Sequence, residues 1–301
     1  MISFRFLLVS IVAVLLALAL GLVAGTAVIS PRLIEQLESE TTQWQARARR
    51  LQEEVDRYQS FVDESLPYLT AGRLVGTRAI LVTQEDVDQA LLAQARRSLE
   101  RAGAQVVAVL SARAELASED PEVRARLADA LGRPPTGGGE LPALAADVVA
   151  TRLALGSGRR DGDPDVLRDL LEEGFLASVG PDLTDQALRD LGGPGEAVVV
   201  VAGGEGTPTL PPQGFLVPLA RRLVELGATV AAGESAASSY GFVAALREDD
   251  VTAGDALVTV DDLDGTIGGV ALVLGLQRLI DVGEGGHYGV SGDALIPPPP
   301  G

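Results

Sequence analysis

Ala197-Val198-Val199-Val200-Val201-Ala202 is apolar at every position. A strand with one wet face alternates apolar and polar side chains, whereas an unbroken run has both faces covered. The segment is therefore expected to be a central, parallel strand. On its C-terminal side the pattern predicts a helix over 215–226, a strand over 228–231 and a helix near 240–246. A strand over 256–260 and a helix over 266–280 follow. On its N-terminal side lie a strand at 79–83, a helix at 85–101, a strand at 105–110 and a helix at 121–131. Further helices are expected around 143–155, 164–173 and 183–191. Strands and helices that alternate in this way predict an α/β fold, a doubly wound and mostly parallel sheet. The domain is expected to span 71–290. Residues 132–139 form a Pro/Gly loop and 291–301 a Pro-rich tail.

Composition narrows the chemistry. The net charge of −18, with every basic residue an arginine, disfavours binding to phosphate backbones, so no nucleic-acid partner is expected. No cysteine is present, which removes disulfides, thiolate metal sites and thiol catalysis. A single histidine, His287, and a single methionine, Met1, leave little for a catalytic triad or a soft-metal site, and the chain is not expected to be an enzyme.

Residues 6–29 carry no charge and only Ser10 and Thr26 as polar side chains. That length exceeds the roughly 20 residues a helix needs to cross a bilayer. A cleavable signal peptide is the other reading. Its apolar core usually runs to about 15 residues at most, and no clear small-x-small cleavage site follows here. A transmembrane anchor over 1–30 is expected. Arg5 precedes the span and a net negative flank follows it, which predicts a cytoplasmic N-terminus and an extracytoplasmic remainder.

From Ile34 the apolar residues fall into a heptad. Ile34, Thr41, Ala48, Val55, Val62 and Leu69 take position a; Leu37, Trp44, Leu51, Tyr58 and Ser65 take position d. Flanking positions are rich in Glu, Arg and Gln, as the solvated face of a coiled coil requires. A coiled-coil-like stalk over 31–70, closed by Pro67 and Gly72, and a homo-oligomer formed through it, are expected. One amphipathic helix lying on its own domain is the alternative. A transmembrane β-barrel would need many alternating segments and aromatic girdles, which this sequence lacks.

Four places are candidates for binding. The strand ending in Gly203-Gly204 has the look of a ligand-binding turn, but it is not G-x-G-x-x-G, and a tight turn explains it as well. Asp161, Asp163, Asp165 and Glu172 mimic calcium-loop positions, yet Val166 stands where the loop needs glycine; Asp163 capping a helix that starts at Pro164 accounts for the same residues. Asp261, Asp262 and Asp264 lie between a strand and the last helix. There they can face a helix dipole or bind a hard cation. His287 sits in the glycine-flanked segment Gly286-His287-Tyr288-Gly289, expected to be flexible surface. Asp261, Asp262, Asp264 and His287 together are the candidate metal ligands.

The run Val260-Asp261-Asp262-Leu263-Asp264, the Gly/Ala-rich apolar helix after it and Gly286-His287-Tyr288-Gly289 resemble the mycobacterial copper transport protein B (MctB) family of actinobacteria. The beginning is similar too, in Met1-Ile2-Ser3-Phe4-Arg5, in Val9-Ser10-Ile11-Val12-Ala13-Val14 and in Ala17-Leu18-Ala19-Leu20-Gly21. The resemblance implies a membrane-anchored envelope protein with one span, a coiled coil and a trailing domain, acting in copper homeostasis or efflux. Relatives linked to septal cell-wall regulation imply an alternative, a scaffold for an envelope partner such as a cell-wall hydrolase. Copper is the one metal implied, and no cofactor is otherwise expected. Copper(I) prefers thiolate or thioether ligands and copper(II) imidazole, so these residues argue against a tight, self-contained copper site. One span cannot line a pore alone, which makes transport the property of an oligomer or of partners.

Overall fold

The computed structural model describes residues 4–27, 31–132, 141–157, 165–180, 183–252, 254 and 256–298. It falls into two compact units, Met1–Phe61 and Val62–Gly301. The first unit begins with α1 (Phe4–Ala27), whose core Phe6–Val23 has a mean hydropathy of 3.0 and no buried residue. Among the described residues it is the one helix long and apolar enough to cross a membrane. Then comes α2 (Pro31–Thr70), a single 40-residue helix. It runs on through position 67, where the sequence suggests a stop, and ends at Thr70, just before Gly72 turns the chain at φ +74°. The side chains of Ile34 and Leu37, the first heptad positions, lie outside the described ones.

The second unit is built on a seven-stranded sheet in the order β3-β2-β1-β4-β5-β6-β7. Its strands are β1 (Arg78–Gln84), β2 (Gln105–Ala112), β3 (Leu176–Ser178), β4 (Glu196–Val201), β5 (Thr229–Gly233), β6 (Val258–Val260) and β7 (Gly286–Tyr288). All neighbours pair in parallel except β2 with β3. The apolar run at 197–202 supplies β4, which is central between β1 and β5 and buried along its whole length.

Because successive strand residues point to opposite faces, β4 feeds two cores at once. Val198 and Val200 join Ile80 and Val82 on one face; Ala197, Val199 and Val201 join Ala79 and Leu81 on the other. The first face is covered by α4 (Pro121–Ala130), α5 (Leu141–Leu155), α6 (Val166–Glu172), α7 (Asp185–Arg189), α8 (Leu216–Glu225) and α9 (Phe242–Glu248). The second is covered by α3 (Gln89–Arg101) and α10 (Thr266–Val282). The sheet is thus wound on both sides, as the alternating pattern predicts. Phe175, Phe215 and Phe242 are the largest side chains fully buried, each stabilising by about 2–3 kcal/mol in a mainly aliphatic interior.

Four local differences from the sequence reading have identifiable causes. Helix α3 starts at Gln89 rather than 85, because the Asp88 carboxylate accepts from Ala90 N at 2.7 Å and caps it. Helix α6 is capped by Asp165, which accepts from Leu167 N at 3.0 Å. Asp161, Asp163, Pro164 and residues 133–139 of the Pro/Gly loop lie outside the described residues. The short edge strand β3, unforeseen in the sequence, pairs antiparallel at Leu110–Ser178 and Ala112–Leu176. The segment expected to be flexible around His287 is β7, paired in parallel with β6, Thr259 opposite His287.

Candidate functional site at the carboxyl edge of the sheet

In doubly wound sheets, ligands meet the carboxyl ends of the strands where the winding reverses. Here that point lies between β1 and β4, and the protein fills it with its own groups. The loop after β4 places Gly203 at φ +129°, and a Cβ on Gly204 would stand 2.7 Å from the Tyr240 hydroxyl and 2.8 Å from the Asp86 carbonyl. Asp86 ties the loop down by accepting from Thr209 N at 2.6 Å and from Thr209 Oγ1 at 3.1 Å. Tyr240 is buried and donates to the Asp86 carbonyl at 3.4 Å. Burial first, and the Asp86 charge second, push its phenol above the ordinary range. The glycines after β4 therefore make a tight turn under a tyrosine.

Farther along the same edge lie Asp261, Asp262, Asp264 and His287. The structure does not gather these four around one point. Asp261 directly follows β6 and is held by Arg247 of α9, with Nη1 to Oδ2 at 2.9 Å. Its oxygens also accept from Val290 N at 2.7 Å, Ser291 N at 2.8 Å and the Ser291 hydroxyl. Burial alone would raise this carboxyl, but the bonds from Ser291 and Arg247 outweigh it and hold Asp261 below the usual carboxylate range.

Asp262 has the opposite setting. Its Oδ1 is buried without a hydrogen-bond partner. Burial first, then the neighbouring charges of Asp261 and Asp264, raise its carboxyl above the usual range. Asp264 turns toward β5 and accepts from Ala236 N at 2.9 Å.

His287 shares a hydroxyl with Arg247. Thr259 Oγ1 accepts from Arg247 Nε at 2.9 Å and stands 2.8 Å from His287 Nδ1. Arg247 Nη2 completes the set by donating to the Tyr288 carbonyl at 2.8 Å. The sequence offered Asp261 and His287 as candidates; Arg247 and the fully buried Thr259, which link them, carried no signal of their own.

This arrangement stitches β6, β7 and the segment after it to α9. Among the described residues, no three His, Asp or Glu side chains stand together in a way that could hold a metal ion. Asp165, also offered as a cation ligand, forms a bidentate pair with Arg152, Nε reaching both oxygens at 3.1 Å and Nη2 reaching Oδ2 at 2.8 Å. The donors present are the carboxylates of Asp165, Asp261 and Asp264, engaged by arginine or backbone N–H groups, the carboxylate of Asp262 and one imidazole. That donor set suits brief, weak contact with a hard cation and not the retention of a soft one.

Two comparisons place the chain. A family model described as "Copper transport outer membrane protein, MctB" matches residues 1–299. The protein named "Copper transporter MctB" from Mycobacterium bovis is 28% identical over an alignment of 324 residues, covering 98% of this chain and 98% of the relative. Proteins of the same name from two strains of Mycobacterium tuberculosis match to the same degree. Since the match runs from the apolar N-terminal helix to the end of the α/β unit, the chain belongs to the MctB family.

Proposed function

We propose that this chain is a membrane-anchored protein of the cell envelope that serves copper homeostasis, with copper as cargo that is passed on and not retained. The observation that supports the reading is the family match over residues 1–299, joined by relatives named copper transporter along 98% of their length. The exposed apolar helix α1 serves as the anchor, with the N-terminus cytoplasmic and the α/β unit outside, as the Arg5 flank favours. The ligand chemistry adds that any copper contact is through carboxylates or one imidazole. With one apolar helix long enough to span among the described residues, a transport path is left to an oligomer or to other envelope proteins.

The test is deletion of the gene, with growth and cell copper measured on graded copper and restored by the full chain. Lower tolerance with higher cell copper is the expected outcome. Unchanged tolerance and unchanged cell copper overturn the reading. The same result accompanied by faulty septation would direct attention to a scaffold for a cell-wall hydrolase.

A further inference from the structure

Within the first unit, α2 carries a stripe of large, exposed side chains. Trp44 is 67% exposed, Leu51 55%, Val55 47% and Tyr58 63%. They fall at positions d, d, a and d of one heptad register, with Ala48 at the intervening a. Between Trp44 and Tyr58 the large apolar residues of α2 all fall on this seam, and a helix with an apolar seam at this spacing is built to bury it against another helix; Phe61, 67% exposed, extends the apolar surface at the next position g.

The residues flanking the seam point to what that helix is. Position e is glutamine in three successive heptads, at Gln45, Gln52 and Gln59, while position g holds Glu40, Arg47 and Glu54. When two copies lie parallel and in register, each g side chain faces the e residue of the next heptad on the partner. The pairs are then Glu40 with Gln45, Arg47 with Gln52 and Glu54 with Gln59. An amide both donates and accepts, so it suits either charge, and no like charges meet anywhere along the seam. Arg47 also lies over the Trp44 ring at 6.0 Å, its stem shielding that edge of the stripe.

We infer that α2 pairs in parallel and in register with α2 of a second copy of this chain, along the face of Trp44, Leu51, Val55 and Tyr58. The parallel orientation rests on the membrane-anchored reading above, because two anchors in one bilayer start both helices from the same side. The choice of the seam rests on the heptad alone.

The absence of cysteine in the sequence makes the test clean, since each variant then carries one thiol. Leu51→Cys and Val55→Cys place it in the seam; Glu53→Cys and Ser60→Cys place it at position f, on the far side. Each full-length variant is treated in native membranes with a short bismaleimide and run on a denaturing gel. Covalent dimer at 51 and 55, with monomer at 53 and 60, is expected. No dimer at any position, or equal dimer at all four, overturns the proposal. Dimer formed only when Ala48→Cys and Leu51→Cys chains are mixed would show antiparallel pairing and overturn it too. Alkaline carbonate extraction of the same membranes reads the anchor separately. A chain released by carbonate that still crosslinks at 51 and 55 refutes the anchor and not the pairing; a retained chain without crosslinks does the reverse.

Discussion

Arg247 on α9 donates to Asp261, directly after β6, at 2.9 Å, and both side chains are largely withdrawn from water. The same guanidinium bonds Thr259, the Tyr288 carbonyl and the Ser291 hydroxyl, so one residue fastens three later segments. Removing one partner of a buried pair leaves the other charge uncompensated.

Arg247→Met is therefore expected to destabilise the chain by about 3 kcal/mol, mostly through the stranded Asp261 carboxylate. Urea unfolding in detergent, followed by the Trp-independent far-ultraviolet signal, checks it. Arg247→Met combined with Asp261→Asn should recover part of the loss, since no bare charge then remains. A double variant worse than the sum of the two singles would show that the pair does not act as described.

The two adjacent aspartates should respond to pH with opposite sign. Asp261 is lowered in the folded state, so its contribution is complete above the unfolded carboxylate range near about 4 and is lost as pH falls through the folded value. Asp262 is raised, so the folded state binds its proton more readily than the unfolded chain does. Its penalty sets in as pH rises through the unfolded value and is complete above the folded one. Asp262→Asn should then raise the melting temperature at pH 7, with the gain vanishing in acid. Asp261→Asn should lower it at pH 7, with the loss shrinking in acid. Thermal melts at both extremes decide, and equal effects at the two pH values would refute the assignment.

Much of this architecture is legible in the sequence because it is written locally. The run at 197–202 has no polar residue to mark an outer face, and that alone makes β4 central. What is not legible depends on distant residues. The sequence, with Pro164 next to it, offers Asp163 as the cap of α6, whereas Asp165 caps the helix. Arg152, on the preceding helix, engages Asp165 through both carboxylate oxygens. Strand β7 has three residues and begins with glycine, so its own propensity is weak. It is a strand because Thr259 and Arg247 hold His287 and Tyr288 against β6. The candidate site follows the same division: the acidic residues stand out in the sequence, but their partners, Arg247 and the N–H groups of Val290 and Ser291, come from elsewhere in the fold.

Arg152 provides the sharpest stability test. It is 8% exposed and, besides the bidentate pair with Asp165, donates to the carbonyls of Leu191 at 2.6 Å and Leu188 at 2.8 Å. Four acceptors on two later segments converge on one fork. Arg152→Lys keeps the charge but cannot reproduce that planar geometry. It should cost about 2 kcal/mol, and Arg152→Ala about 4 kcal/mol. If lysine substitutes without measurable loss in urea unfolding, charge and not geometry holds α5 to α6.

Gly289 carries the last prediction. Its φ is +112°, a conformation that side chains other than glycine's resist, and a Cβ built there would stand 1.9 Å from Asp261 Oδ1. Alanine must therefore both strain the backbone and push away the carboxylate that Arg247, Val290 and Ser291 share. Each effect alone is on the order of 1–3 kcal/mol. The release should be local, because β7 is an edge strand and Gly289 N bonds only outward, to the Ala294 carbonyl at 3.0 Å. In Gly289→Ala, amide exchange should accelerate in β7 and at Val290 and Ser291, while β1 and β4, buried in the middle of the sheet, stay protected. Uniform acceleration across the sheet would mean that the edge and the core open together, and that the Asp261 clasp is part of the global fold and not a fastening at its rim.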